Sequence, residues 1–171
     1  ELLRRPWLGI IFKPKTAISL RKRLGDGARL LEEAESTGRC YVYDSYSRDV
    51  TSASPLLAAL SADVGIACHL DNTAGLECYL GGLPMLLINR EWATNSKFND
   101  LPRGRVVFED WPDTISKLMD HFTQPEGIQG LGDWSSIIDE LDPFRDGQAR
   151  KRIGDFLSWI LEGYKKGMNR E

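Results

Sequence analysis

Histidine and cysteine are both scarce in this chain of 171 residues, which has two of the first and three of the second. Cys40, Cys68 and Cys78 show no C-x-x-C spacing and lie within apolar segments. That pattern is expected of reduced, buried thiols and argues against a disulfide framework or a zinc cluster. No apolar run approaches the roughly 18 residues that a membrane span requires. The opening Glu1-Leu2-Leu3-Arg4-Arg5 is too short and too charged for a secretory leader. No transmembrane segment is therefore expected, and the protein reads as cytoplasmic or peripheral at the inner face of a membrane. An excess of either charge is missing as well: 22 Lys and Arg stand against 25 Asp and Glu, a net charge of −3. Nothing in this balance suggests a surface built to coat nucleic acid or anionic lipid, so any phosphate must be bound locally. There is no G-x-S-x-G, P-loop, H-E-x-x-H or G-x-G-x-x-G, which removes the common hydrolase, NTPase, zincin and dinucleotide fingerprints. Without an acidic or histidine cluster at ligand spacing, no divalent metal is expected to be required by the protein.

A composition that is 42% hydrophobic is sufficient for a full core, and the length favours one domain over residues 1–171. Apolar runs of strand length recur at residues 9–12, 40–43, 64–68, 85–88 and 106–108. They do not alternate with polar residues, as expected of strands buried on both faces. Helical spacing fills the gaps. Leu20, Leu24, Ala28, Leu31 and Ala34 form one stripe that Gly25-Asp26-Gly27 can split, residues 55–60 and 73–80 suit short helices, and Ile115, Leu118, Met119 and Phe122 share a face. Strand-helix alternation predicts an α/β fold: a Rossmann-like parallel sheet of five or six strands with helices on both faces, over about residues 7–125. From about 126 to 171 the expectation is helical. Gly127, Gly130 and Gly132 mark a loop, Asp133 or Ser135 caps a short helix through Leu141, and Asp146 opens a long C-terminal helix. That helix carries Ile153, Phe156, Leu157, Ile160, Leu161 and Tyr164 on one stripe, which suits packing on the sheet or on a further domain.

The richest stretch chemically is residues 62–90, which reads as strand, polar turn, short helix and strand. Open α/β sheets bind ligands at the carboxyl ends of their strands, where this turn falls. Asp71, Asn72 and Thr73 can cap the helix, Asn72 and Thr73 serving otherwise as phosphate contacts beside backbone N–H groups, and Gly75 either admits a ligand or packs on the sheet. Glu77 is a solvated residue or an acceptor for a ribose hydroxyl. His69 either hydrogen-bonds a ligand or finishes the strand. Lys13 and Lys15 flank Pro14 after the first apolar run, and either can offset phosphate charge or remain solvated. Tyr46 follows the second run and can stack on a base or cover a pocket wall. Tyr41 and Tyr43, inside that run, read as core. Arg90, Glu91 and Trp92 close the fourth run at the same edge and are further candidates for ligand contacts. His121, near a helix end, reads as a surface residue.

The segment A-D-V-G-I-A-C-H-L-D-N-T-A-G-L-E-C-Y-L-G-G-L-P-M-L-L-I-N-R resembles the donor-binding segment of GT-B glycosyltransferases and of the related UDP-N-acetylglucosamine epimerases, whose pattern is "aDv.i….ag.E…lG.P.l". The resemblance implies a C-terminal donor domain. Asn72, Thr73 and Gly75 would face the diphosphate, Glu77 would hold the ribose, and Lys13 or Lys15 would offset the leaving-group charge. It implies a nucleotide-sugar as substrate, no tightly bound cofactor, and a glycan or surface-polysaccharide acceptor. It further implies an N-terminal acceptor domain, on the same polypeptide or a partner chain. Nothing in this sequence resembles that domain, and the first residue is not Met, so a processed or truncated polypeptide is expected, inactive alone. Retaining members carry two Glu about eight positions apart; the first would fall near His69, where no acid stands. The alternatives from other classes are a non-catalytic nucleotide-binding or docking module and an epimerase-like enzyme.

Overall fold

The computed structural model describes residues 1–14, 20–43, 54–91 and 94–167. Five strands and seven α-helices alternate among these residues: β1 (Ile10–Phe12), α1 (Leu20–Leu24), α2 (Gly27–Ser36), β2 (Cys40–Val42), α3 (Pro55–Ala59), β3 (Gly65–Ala67), α4 (Thr73–Leu80), β4 (Met85–Ile88), β5 (Val107–Phe108), α5 (Trp111–Thr123), α6 (Ser135–Leu141) and α7 (Ala149–Lys165). All five apolar runs become strands, and the stripe from Leu20 to Ala34 is split in two at Gly25-Asp26. Two compact units result, Glu1–Trp134 and Ser135–Glu171.

The strands are parallel, but they do not form the single sheet of five or six expected from the sequence. Among the described residues β1 pairs only with β2, while β3, β4 and β5 form a separate three-stranded sheet in that order. The residues at the two sets of strands explain the split. β4 is buried throughout and β5 likewise, as befits strands with helices on both faces. In β1, by contrast, Ile10 and Phe12 are each 39% exposed. The expectation of burial on both faces fails there, and it fails for Tyr41, which points outward at 60% exposure with its ring edge-on to that of Tyr43.

The core of the first unit lies on the three-stranded sheet. Successive side chains of a strand face opposite sides. On one side Leu86 and Phe108 pack with Leu118 and Met119 of α5 and with Leu131, and Leu8, Val64, Ile66, Ile115 and Ile128 close the rim. On the other side α4 lies over Ala67, and a fully buried Trp134 fills the remaining space. The Trp134 indole N–H donates to the Met85 carbonyl at 2.7 Å, and its ring is stacked on Tyr79 and edge-on to Phe98. Gly132 makes this placement possible: its φ is +70°, and a Cβ there would lie 2.6 Å from the Met85 amide nitrogen. The Gly132 carbonyl accepts from that amide at 3.0 Å, so the loop is sewn to the start of β4.

The backbone before β1 is held at three carbonyls by one guanidinium. Arg39 Nη1 donates to the carbonyls of Leu2, Arg5 and Leu8 at 2.8–2.9 Å. His121 also has a structural task, its Nδ1 accepting from the Ile128 amide at 2.7 Å where α5 turns into the glycine loop.

In the second unit α7 starts later than Asp146. Gln148 occupies the N-cap without a side-chain capping bond. Asp146 acts two residues earlier, accepting from the Gln148 amide at 2.9 Å and holding the Arg152 guanidinium at 2.8 and 2.9 Å. These bonds, that to Arg152 foremost, draw its carboxyl down from 3.8 to about 2. The apolar stripe of α7 is exposed. No helix among the described residues is long and apolar enough to cross a membrane.

The three thiols are unpaired with one another, but only Cys78 is buried; Cys40 is half-buried and Cys68 exposed. Cys68 follows the last residue of β3, in the turn that leaves the sheet, where it is no longer covered. Desolvation raises all three thiols above their ordinary value, and for Cys68 the positive charge of Arg90 pulls the other way.

Candidate functional site

Parallel pairing of β3 with β4 puts two strand ends side by side, and the chain leaves each through a polar turn. Between the turns lies a pocket of about 230 Å³ lined by His69, Leu70, Asp71, Ile88, Asn89 and Glu91. Its floor is apolar, with Ile88 fully buried and Leu70 at 3% exposure, while the rim is polar. Leu70 anchors the first turn. That turn leaves β3 at the sheet edge and delivers Asp71 and Asn72 to the start of α4.

His69 Nδ1 stands 3.2 Å from Glu91 Oε1, so the two strand-end turns are linked across the pocket mouth. Both side chains are largely exposed, and their attraction is therefore worth little by itself. Ser96 Oγ donates to Asp71 Oδ1 at 2.7 Å and also accepts from the Phe98 amide, capping the 3₁₀ turn Lys97–Asp100. This fixes Asp71 from a third segment. Asn89 is buried directly below, its backbone N–H donating to the Phe108 carbonyl at 2.7 Å. The rim thus offers two carboxylates and an imidazole, a set that accepts hydrogen bonds from hydroxyl groups and donates through His69.

Of the residues marked out by sequence, His69 lines this pocket and Arg90 lies between the lining residues Asn89 and Glu91, with an exposed side chain whose charge is felt at Cys68. Thr73 is the exposed first residue of α4, adjoining the same turn. Asn72 is the N-cap, and its side-chain oxygen accepts from the Gly75 amide at 2.7 Å. One N–H of the helix start is thereby occupied. Gly75 is buried, and a Cβ on it would lie 3.2 Å from the Trp134 ring, so its missing side chain makes room for Trp134. Glu77 is one turn further along and accepts from Ser54 Oγ, the N-cap of α3, so it ties α4 to α3 rather than lining the pocket. Lys13 sits at the end of β1, in the other sheet, with its Nζ 3.5 Å from the Pro14 carbonyl. Lys15, Tyr46 and Trp92 lie outside the described residues.

Sequence reasoning passed over Asn89 and Ser96, and it treated Asp71 only as a cap. Asn89 had a legible signal, being the first polar residue after the apolar run of β4; Ser96 had none, because its partner is 25 residues away. No cluster of three or more His, Cys, Asp or Glu suited to a metal occurs among the described residues.

Comparison with protein-family models, curated proteins and solved structures finds no match to this chain.

Proposed function

We propose that the pocket at the carboxyl ends of β3 and β4 binds a nucleotide-activated sugar, and that the chain is the donor-binding half of a glycosyltransferase acting on a glycan acceptor. The observation that carries this reading is position: the pocket opens where two parallel strands end and the N-terminus of α4 begins, the place where open α/β sheets hold ligands. Asp71 and Glu91 are acceptors suited to sugar hydroxyls. Arg90, Thr73 and the remaining N–H groups at the start of α4 suit the diphosphate. Catalysis in such a site comes from orienting the anomeric carbon and stabilising the departing diphosphate, with the acceptor and any general base supplied by another domain.

Asn72 and Gly75 favour the second reading, a non-catalytic nucleotide-binding or docking module. Both belong to the resemblance to transferases, and both are engaged in structural roles.

The deciding experiment is a thermal-shift panel with UDP, GDP, ADP, CDP and CMP, with and without magnesium. A ligand at about a hundredfold over Kd raises the midpoint by roughly 5–10 °C in a domain of this size. Response to one nucleotide supports donor binding, and Arg90→Ala and His69→Ala then weaken it without lowering the unliganded midpoint. A flat panel sinks the donor reading.

A further inference from the structure

His121 takes no part in the pocket, and its surroundings give it a second role. It stands in the last turn of α5, half-buried, with its ring edge-on to Phe122. The chain then folds back over that ring. Gly127 is held in the left-handed region at φ +65°, its amide donating to the Gln124 carbonyl at 3.1 Å. It lies so close to the imidazole that a Cβ there would meet the ring carbon Cε1 at 2.5 Å. The next amide, that of Ile128, donates to His121 Nδ1 at 2.7 Å. The Ile128 side chain packs against the cluster of Leu86, Phe108, Leu118, Met119 and Leu131.

An imidazole nitrogen accepts a hydrogen bond only while it carries no proton, so this contact fixes the neutral ring with its hydrogen on Nε2. Uptake of a proton turns Nδ1 into a donor that faces the Ile128 N–H, and the amide is left without its acceptor. The end of the α5 dipole attracts a charged ring, but that attraction is smaller than the cost of an orphaned donor. Charged residues nearby are few. β4 and β5, which α5 covers, carry none. Lys117 and Asp120 share α5 with His121, Glu126 lies in the turn after it, and Arg105 lies beside Gly130. Arg4 and Arg5, both held by Glu1, belong to the segment whose Trp7 meets Phe122. Among the described residues no carboxylate is paired with His121 to hold its ring charged.

We propose that His121 is a pH-sensitive latch, holding residues 124–132 against α5 while its ring is neutral and releasing them when the ring takes up a proton. The stability it contributes is complete above the ordinary histidine range, about pH 5–8, and is lost as pH falls through it. The effect reaches the back of α4. The Gly132 carbonyl accepts from the Met85 amide at 3.0 Å, and Trp134, two residues on, is the fully buried filling under that helix. The latch is independent of what the pocket binds.

The test is amide hydrogen exchange of the full chain, followed by NMR from about pH 8 to about pH 5 and corrected for the intrinsic rate at each pH. Proton uptake by the ring is read from the His121 Cε1–H resonance in the same samples. Protection of the Ile128 amide is expected to fall at least about tenfold in step with that uptake, the fold-change for one lost hydrogen bond. In His121→Asn the side-chain oxygen takes the place of Nδ1, accepts the same bond and does not titrate, so protection should stay constant over the range. His121→Phe keeps the bulk of a ring without an acceptor and should show the low protection at every pH. If a variant fails to fold, the wild-type measurement decides alone, because His69, the chain's other imidazole, lies at the pocket and gives a separate resonance. Ile128 protection that is unchanged while the His121 ring takes up its proton, or that falls as far in His121→Asn as in the wild type, overturns the proposal. So does a ring that stays neutral throughout.

Discussion

The two sheets are built from the same kind of sequence and end in different environments. β4 reads M-L-L-I and β1 reads I-I-F, yet Leu86, Leu87 and Ile88 are at 0% exposure whereas Ile10 and Phe12 remain at 39%. The difference comes from what lies against each strand. β4 has neighbours on both edges, α5 over one face, and α4 with Trp134 over the other. β1 has one hydrogen-bonded neighbour among the described residues, and helices α1 and α2 contain no fully buried residue. Apolar content alone therefore does not make a core strand; enclosure from both sides does.

That contrast breaks most readily at Trp134. Trp134→Ala is expected to destabilise by about 3–5 kcal/mol in urea unfolding, because it removes the whole filling under α4 together with the bond to Met85. A loss under about 1 kcal/mol would mean that α4 does not depend on this face. Leu86→Ala should cost about 2–5 kcal/mol, while Ile10→Ala should cost under about 1.5 kcal/mol because much of that side chain is already solvated. Equal losses at the two positions would show that β1 is enclosed in solution. Gly132→Ala should fall between, at about 1–3 kcal/mol, since it combines a positive φ with a collision against backbone.

At the site the same contrast separates scaffold from ligand contact. Asn72→Ala should lower stability by about 1 kcal/mol through loss of the cap. Glu77→Ala sharpens the assignment further: loss of nucleotide binding with stability kept would restore its ribose role, whereas stability falling in step with binding would leave it as the tie between α4 and α3. The smallest effect is expected at Asp146. Its carboxyl is depressed to about 2, so its support of the α7 start is complete above about 3.8 and is lost as pH falls toward 2. Far-UV circular dichroism should show a slight loss of helix across that window that Asp146→Asn already has at neutral pH.

Much of the site's frame was legible in the sequence. The turn between β3 and α4, the cap at Asn72 and the end of β4 just before Asn89 and Arg90 follow from a strand-length apolar run, a capping residue and the next apolar run. The pocket's actual rim was less so. His69 with Glu91 and Asp71 with Ser96 join segments more than twenty residues apart, and nothing local in either partner announces the other. Gly75 was read with ligand approach as one alternative, and what stands against it is Trp134, 59 positions later.

Local pattern by itself determined where all five strands and the helices fall, since hydrophobic period, caps and glycine breaks act over a few residues. Tertiary structure alone decided which strands pair, which apolar residues are enclosed and which polar groups meet at the pocket. Those outcomes depend on closing long loops and filling space between distant segments, where competing arrangements have similar local energies.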